Sequence, residues 1–248
     1  MSVYVIADLH LSFGEEDKPM DVFGGAWVGY MDRIQENWLN TVKPEDTVVI
    51  PGDISWAMGL KESLADLTVL NSLPGNKIIL KGNHDYWWDT LKKMQNFLEE
   101  NELNTIKVLF NNAFYADGVI ICGSRLWESV GSSSDSADRK TYLREVGRLR
   151  MSLDAGLKLR EQVGEDTPIA VFAHYPPVAT FDGKQEFMKV MQDYGVAKCY
   201  YGHLHGAGIQ VATQGDVGGV ELKLISADAL GFVPWLVNRL VSEPQLRC

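Results

Sequence analysis

The sequence has few cysteines and no long hydrophobic run. Its 3 cysteines, Cys122, Cys199 and Cys248, lie far apart and show no spacing that is typical of a metal site. An odd number of cysteines also argues against a disulfide framework, so a reducing cytosol suits the chain best. No apolar segment is long enough to span a bilayer, and no signal-peptide pattern precedes the first apolar run at Val3. We therefore expect a cytoplasmic protein without a membrane segment.

Basic residues are outnumbered by acidic residues. The chain has 23 Lys and Arg against 33 Asp and Glu, which gives a formal net charge of −10. A protein that binds long nucleic acid needs a basic surface, because it must displace the counterions of the phosphates. We therefore do not expect nucleic acid as a partner. A small anionic substrate is not excluded, because bound divalent cations would dominate the local field.

The length and composition fit a single domain. With 248 residues, of which 46% are hydrophobic, the chain is long enough to bury one large core. It contains no internal repeat and no linker-like segment that would divide it. We expect one domain over residues 1–248, and the sequence leaves the oligomeric state open.

Five short apolar runs, rich in β-branched residues, are predicted to be buried strands. They lie at residues 3–7, 47–50, 78–80, 169–173 and 197–201. The side chains that follow them bind metals or carry protons, and they are Asp8, His10, Asp53, Asn83, His84, Asp85, His174, His203 and His205. All 5 histidines of the chain lie in these segments. If the strand ends share one sheet edge, these side chains converge on one site.

Segments with helical periodicity separate many of these strands. They predict helices at residues 26–42, 61–73, 89–100, 138–163 and 187–194. In the fourth of these, Gly147 and Gly156 are candidate points of interruption, and mixed charges at helical spacing predict a solvated face. The alternation of strands and helices in the first part of the chain indicates parallel βαβ units.

The middle of the chain differs from this pattern. Strand-like segments at 106–110, 113–116 and 119–122 follow one another closely, and Asp117-Gly118 between the last two is typical of a β-hairpin. We therefore expect antiparallel pairing there. Residues 123–137 are predicted to form a loop, either a mobile lid or an exposed excursion.

Taken singly, the first two motifs are ambiguous. Asp8-Leu9-His10 places two ligand types on one side of an extended chain, but it is equally an Asp turn with a surface histidine. Gly52-Asp53 permits close approach of another group, but Gly-Asp is also an ordinary turn dipeptide. Taken together, the five strand ends supply enough ligands for two divalent ions, with Asp53 between them and His84 left to carry a proton. The ligands would be Asp8, His10, Asp53, Asn83, His174, His203 and His205.

In their order, the five blocks resemble the calcineurin-like metallophosphoesterases. That family has Asp-x-His, Gly-Asp, Gly-Asn-His-Asp/Glu, a single His and Gly-His-x-His, and all five blocks stand between Asp8 and His205. The resemblance implies an α/β fold, a four-layer sandwich of two mixed β-sheets flanked by helices, with metals at the strand ends. It also implies one metal held by Asp8, His10 and His205, a second held by Asn83, His174 and His203, and Asp53 shared between them. His84 would be catalytic and paired with Asp85.

The ligand types indicate the chemistry. Mixed Asp, Asn and His ligands suit Mn, Fe, Zn or Co better than a soft-metal site would. Two such ions would turn a bridging water into hydroxide for attack on phosphorus and would hold the phosphoryl oxygens. His84 would protonate the leaving alkoxide. The sequence therefore predicts a metal-dependent phosphohydrolase, with manganese as a candidate metal and a small phosphomonoester or phosphodiester as substrate.

Two alternatives remain open. The family includes serine/threonine phosphoprotein phosphatases, although no additional arginine pattern indicates one here. A protein of the same fold without catalysis would act as a binding scaffold, but it should lack a ligand or the catalytic histidine, and none is missing. Arg125 follows a predicted strand, yet we do not expect it to bind phosphate. Trp87 and Trp88 either line a pocket or pack the start of a helix.

Overall fold

The protein folds into two β-sheets, which a computed structural model describes for residues 1–14, 20–128, 136–178 and 186–237. The strands are, in chain order, β1 (Val3–Val5), β2 (Thr47–Pro51), β3 (Asn76–Leu80), β4 (Ile106–Val108), β5 (Phe114–Ala116), β6 (Val119–Ser124), β7 (Ile169–Ala173), β8 (Lys198–Tyr201), β9 (Gly215–Val217), β10 (Val220–Leu224) and β11 (Trp235–Leu236). The first sheet has the order β11-β1-β2-β3-β4, and the second has the order β5-β6-β7-β8-β10-β9. The five strands expected before the site residues are present as β1, β2, β3, β7 and β8.

Both sheets are mixed. In the first sheet, β1 to β4 are parallel, and β11 pairs antiparallel with β1 at the edge. In the second sheet, β6, β7, β8 and β10 are parallel, and β5 and β9 are antiparallel edge strands. The hairpin predicted at Asp117-Gly118 joins β5 to β6. The wider expectation of antiparallel pairing is wrong for β4, which pairs parallel with β3 because a helix lies between the two in the chain.

Helices connect most of the parallel strands. Within the described residues, the α-helices are α1 (Tyr30–Thr41), α2 (Leu64–Ser72), α3 (Leu91–Glu100), α4 (Ser136–Val163) and α5 (Glu186–Asp193). Helix α1 begins later than expected, because Gly29 has a left-handed backbone (φ 60°) and Gly25–Trp27 forms a separate 3-10 turn. None of the helices in the described ranges is both long and apolar enough to cross a membrane.

Three apolar clusters separate the layers. Side chains such as Val49, Ile78 and Phe172 fill the space between the two sheets. A second cluster packs α1, α2 and α3 on the outer face of the first sheet, and a third packs α4 and α5 on the outer face of the second. Because central strands are covered on both faces, they consist of nearly continuous apolar residues. The predicted four-layer sandwich is confirmed.

The two sheets meet at the carboxyl end of β1. The Ala7 N–H donates to the Ile225 carbonyl (2.9 Å), and the Ala227 N–H donates to the Ala7 carbonyl (3.0 Å). These bonds form a parallel bridge between Ala7 and Ser226, which follows β10 of the other sheet. The parallel strands of both sheets therefore end on one side of the molecule. The expectation of a single sheet edge is corrected, since β1, β2 and β3 come from one sheet and β7 and β8 from the other.

The long helix α4 differs from its prediction in two ways. It continues through Gly147 and Gly156 without interruption. Its charged face is not wholly solvated, because Glu145 is fully buried and accepts hydrogen bonds from Arg148 (2.7 Å) and the Ser124 hydroxyl (2.8 Å). A pattern of charges shows which face is polar, but it does not show that another polar group packs against that face.

The predicted loop that precedes α4 is only partly described. Gly123 and Ser124 belong to β6, and α4 already begins at Ser136. Residues 129–135 lie outside the described residues. Its role as a lid or an excursion therefore stays a prediction.

The two glycines of α4 allow a matched test of packing. A Cβ at Gly156 would collide with Cys122 Sγ, whereas a Cβ at Gly147 would meet nothing within 4 Å. We expect Gly156→Ala to lower the free energy of unfolding by about 1–3 kcal/mol through overpacking. Gly147→Ala should raise it by about 0.5–1 kcal/mol, because alanine is the better helix former. Chemical denaturation measures both, and a shift of the same sign in both variants would contradict this packing.

Candidate metal centre

The strand ends turn sharply where the predicted site residues begin. Asp8, His10, Asp53 and His203 have positive φ angles of 61°, 46°, 50° and 72°. Residues other than glycine adopt this conformation at a cost of roughly 1–2 kcal/mol each. Strained backbone concentrated in one place is typical of a functional site. Here it follows β1, β2 and β8, on the side of the molecule where the two sheets meet.

Asp8, His10 and His205 form the first cluster of candidate ligands. Their ligand atoms lie within 4.8 Å of one another. His205 Nε2 lies 3.6 Å from Asp8 Oδ1. Within the described part of the chain, His205 Nε2 and His10 Nδ1 are buried and have no hydrogen-bond partner. Because buried polar side-chain atoms are rarely left unpaired, His205 Nε2, which faces Asp8, fits the ligation of a metal ion.

The second cluster contains Asp8, Asp53 and His174, whose ligand atoms again lie within 4.8 Å of one another. His174 Nε2 lies 3.5 Å from Asp53 Oδ2 and 2.6 Å from Asn83 Oδ1. The imidazole of His203 packs beside that of His174, with ring centroids 5.1 Å apart. Carboxylate, amide and imidazole groups therefore converge here from both sheets.

The two carboxylates join these clusters. Asp53 Oδ2 lies 3.8 Å from His10 Nε2 in the first cluster and 3.5 Å from His174 Nε2 in the second. Asp8 belongs to both clusters, a shared position that the sequence indicated for Asp53 alone. All seven side chains predicted as ligands thus lie in one site, at the place where the two sheets meet.

The central carboxylates are buried, and in the described ranges no lysine or arginine pairs with them. Asp8 is 0% and Asp53 is 1% exposed. Among the described residues, the ion-pair partners of Asp8 and Asp53 are histidines. Burial raises the pKa of Asp53 to about 9, and the negative charges of Asp85 and Asp8 add to this effect. Two carboxylates in such a place need added positive charge to ionise together, and a divalent cation supplies it.

Most of the histidines are in the form that binds metals. Burial lowers the pKa of His174 to about 3 and also lowers the pKa of His10 and His203. These side chains are therefore neutral imidazoles near pH 7, with a nitrogen lone pair available to a metal. The donor set of carboxylate, amide and neutral imidazole groups fits a divalent transition-metal ion.

Close approach of neighbouring strand ends explains two of the motif glycines. A Cβ at Gly52 would lie 2.7 Å from His174 Nδ1. A Cβ at Gly82 would collide with the carboxylate of Asp53. The glycine in each motif therefore makes room for a candidate ligand on another strand, as the sequence indicated for Gly52.

Asp85 does not pair with His84 as predicted. Its carboxylate is fully buried and accepts hydrogen bonds from the backbone N–H groups of Asp53 (2.9 Å), Ile54 (2.8 Å) and Gly82 (2.7 Å) and from Trp87 Nε1 (2.9 Å). His84 Nδ1 has no hydrogen-bond partner within the described residues. The expectation of an Asp85–His84 pair is wrong because the chain turns between the two residues. Asp85 instead holds the ends of β2 and β3 together.

Asp228 is a candidate site residue that the sequence analysis missed. Its Oδ1 lies 2.9 Å from His205 Nδ1, and its Oδ2 accepts from the Gly206 N–H (3.0 Å). Burial opposes protonation of His205, but the hydrogen bond with Asp228 and the negative charge of Asp8 outweigh it and raise its pKa to about 10. A carboxylate on Nδ1 leaves Nε2 directed at Asp8, the arrangement that orients metal-binding histidines. The signal was weak, because β10 alternates apolar and charged residues and Asp228 lies within the turn that follows it.

Aromatic rings form the wall of the site. Trp56 stacks on His10 with ring centroids 4.8 Å apart, and its centroid lies 4.9 Å from that of His84. Trp87 is 2% exposed and packs beneath the site, whereas Trp88 is half-buried and lines a neighbouring pocket. Trp88 therefore lines a pocket, which was one interpretation of the pair, and Trp87 is a packing residue, which was the other.

Comparisons with known proteins agree with this arrangement. The family model for calcineurin-like phosphoesterase matches residues 1–207. No curated protein matches the chain significantly. Among solved structures, a phosphopantetheinyl hydrolase from Mycobacterium tuberculosis is 16% identical, with a TM-score of 0.55 over 100% of this chain and 98% of that one.

Two further solved structures have the same fold. A protein of unknown function from Aquifex aeolicus is 16% identical, with a TM-score of 0.50 over 95% of each chain. A protein from Thermus thermophilus is 11% identical, with a TM-score of 0.54 over 92% of this chain and 89% of that one. At such identities, the similarity concerns the fold alone.

The contact between Asp228 and His205 can be tested through metal affinity. We expect Asp228→Ala to weaken Mn²⁺ binding by about 10–100-fold, because the imidazole of His205 loses the partner that orients it. The control is Asp216→Ala, which removes the same charge from the exposed strand β9. Isothermal titration calorimetry measures both variants. Equal affinities for Asp228→Ala and the control would contradict the orienting role.

Proposed function

The chain belongs to the calcineurin-like phosphoesterase family, and on this premise we propose that it is a dinuclear metal-dependent hydrolase of small phosphomonoesters or phosphodiesters. The observation that carries the proposal is the position of Asp53 Oδ2, between His10 Nε2 (3.8 Å) and His174 Nε2 (3.5 Å). A carboxylate held between two sets of imidazole ligands is suited to bridging two ions. The family supports hydrolysis of phosphoesters in general, and the number of ions and the substrate class are parts of the proposal.

The proposed ligand sets follow the two clusters. Asp8, His10 and His205 would hold one ion. Asn83, His174 and His203 would hold the second, and Asp53 would be shared. Manganese, iron, zinc and cobalt all suit these donors, and manganese is our choice for the native metal. When bound, two such ions supply an activated water as the nucleophile and positive charge for the phosphoryl oxygens.

His84 is proposed to act on the leaving group. Its backbone N–H donates to Asp53 Oδ1 (2.8 Å), which fixes its position beside the proposed bridging ligand. Its ring packs against Trp56 and is only partly buried, so it is accessible from the mouth of the site. Burial lowers the pKa of His84, and this effect outweighs the opposing negative charge of Asp8. Its contribution as a proton donor should therefore grow as the pH falls below neutrality.

The substrate and the cellular location are also part of the proposal. A net charge of −10 disfavours long nucleic acid, and we propose a small phosphoester that binds mainly through the metals. Cys122 and Cys199 are free, buried thiols, which supports a reducing compartment such as the cytoplasm.

The metal requirement gives the direct test of the proposed function. Protein that is loaded with Mn²⁺ and desalted should hold about two ions per chain and hydrolyse p-nitrophenyl phosphate or bis(p-nitrophenyl) phosphate. Asp53→Asn should weaken both sites and reduce turnover, whereas the surface variant Asp216→Asn should change neither. Elemental analysis and a colorimetric assay measure these outcomes. A plateau at a single ion in folded protein, or loss of only one ion in Asp53→Asn, would contradict the shared ligand.

The role of His84 can be separated from metal binding by the leaving group. We expect His84→Ala to keep its metal content and to lose about 10²–10⁴-fold in turnover of alkyl esters, whose alkoxide needs a proton. The loss should be much smaller for nitrophenyl esters, because nitrophenolate leaves without protonation. His174→Ala should lose metal and activity together with either ester. If His84→Ala slows both ester types equally, or releases an ion, the general-acid role is refuted.

A further inference from the structure

A second pocket opens beside the candidate metal centre. It has a volume of about 350 Å³ and lies between the two sheets, with Leu80 and Leu109 on one side and Gly123 on the other. Lys81 lines it and immediately precedes the Gly82-Asn83 motif. Arg125 also lines it, and the Arg125 carbonyl accepts from the N–H of Tyr175, the residue after His174 (3.0 Å). The pocket therefore adjoins the same strand ends that carry the candidate ligands.

Positive charge exceeds negative charge in this pocket. Lys81, Arg125 and Arg148 line it together with two carboxylates, Glu145 and Asp89. Asp89 is already engaged, because its Oδ2 lies 2.8 Å from the ammonium of Lys93 outside the pocket. This leaves Glu145 as the carboxylate that faces the three cations. Such an excess is notable in a chain whose formal net charge is −10.

Glu145 cannot satisfy all three cations. Its Oε1 lies 2.7 Å from Arg148 Nη1 but 3.7 Å from Arg125 Nη2, and its Oε2 accepts from the Ser124 hydroxyl (2.8 Å). A purely structural ion pair would need one cation for this buried carboxylate, and Arg148 fills that role. Arg125 and Lys81 are therefore in excess of what the buried charge of Glu145 requires.

One buried donor in the pocket wall is unpaired within the described residues. It is Arg125 Nε. Burial lowers the pKa of Arg125, and the nearby Arg148 adds to this effect although Glu145 opposes it. A guanidinium that is desolvated and incompletely paired is costly unless an anion binds it. Arginine presents several N–H donors in a plane, which suits the oxygens of a phosphate.

The pocket also offers apolar surface. Trp88, Leu109 and Phe110 line it. The guanidinium of Arg148 lies over the ring of Phe110, 5.0 Å from its centroid, and that of Arg125 lies over Trp127 at 4.5 Å. Stacking of this kind holds both guanidinium groups in place before any ligand arrives. A ligand here would therefore combine an anionic group with a short apolar segment.

We propose that this pocket binds a second phosphate group of the substrate, remote from the phosphoester that is cleaved. Arg125 and Lys81 bind the remote phosphate, while Trp88 and Leu109 contact the chain that links it to the scissile ester. Arg148 stays paired with Glu145. The substrate class is then a small bisphosphorylated ester. The inference rests on the proposed function, and it reverses the expectation from sequence that Arg125 does not bind phosphate.

Non-hydrolysable phosphonates test the pocket by binding alone. Alkane α,ω-bisphosphonates of graded chain length and alkyl monophosphonates of matched length are titrated into the Mn²⁺-loaded full chain by calorimetry. At the best chain length, the bisphosphonate should bind about tenfold more tightly or better, because charge-assisted hydrogen bonds form in the pocket. Arg125→Gln should reduce this ratio to near one, and Arg125→Lys should restore part of it. The control Lys198→Gln removes the same charge at the start of β8, at the opposite end of the strand from the site, and should leave the ratio unchanged.

The outcomes separate this inference from the proposed function. A ratio near one at every chain length in the unaltered protein, or a ratio that Arg125→Gln leaves intact, overturns the phosphate pocket. If the same preparation still hydrolyses nitrophenyl esters, the proposed function stands without it. A clear ratio that Arg125→Gln abolishes supports the pocket even if no ester is hydrolysed, and in that case the proposed function is what fails.

Discussion

Two buried carboxylates, Asp8 and Asp53, are held side by side where the sheets meet, and the rest of the site depends on this contact. Like charges at such a place repel each other and lose their hydration, so folding brings them together only because the backbone dictates it. The bridge from Ala7 to Ser226 ties the sheets at this point. Gly82 allows the end of β3 to approach the carboxylate of Asp53. The fold therefore places two carboxylates where a divalent cation would neutralise them.

Two further carboxylates keep this arrangement in place without being candidate ligands. Asp85 accepts hydrogen bonds from backbone N–H groups at the ends of β2 and β3, so it fixes the turns that carry Asp53 and Asn83. Asp228 follows a strand of the other sheet and fixes His205, because its carboxylate contacts His205 Nδ1 and accepts from the Gly206 N–H. Each fixes the geometry of a ligand by satisfying polar groups that would otherwise be buried unpaired. The geometry of the site therefore depends on hydrogen bonds from residues that contact the candidate ligands or their turns but are not candidate ligands themselves.

The sequence was most informative where a residue that can bind a metal follows a predicted strand. Asp8, Asp53 and His174 were found because each directly follows an apolar run, and parallel strands carry such residues to the same side. Asp85 was found but given the wrong partner, because adjacency to His84 in the chain does not show which way a turn directs each side chain. Asp228 was missed because it lies within a turn after an alternating strand and its partner His205 is distant in sequence. Glu145 was placed on a solvated face because periodicity does not reveal what packs against a helix.

The same strand ends carry both the proposed chemistry and the proposed selectivity. Lys81 lies between the last residue of β3 and Gly82, and Arg125 directly follows β6, so neither can move independently of the sheets that position the ligands. A phosphate held by these side chains would lie at a fixed distance from the metal centre. Binding of this remote phosphate would therefore orient the scissile phosphoester. Binding energy from the remote group is then available to align the scissile ester with the attacking water. On this view, the five motifs determine that a phosphoester is cleaved, and the residues that adjoin them determine which one.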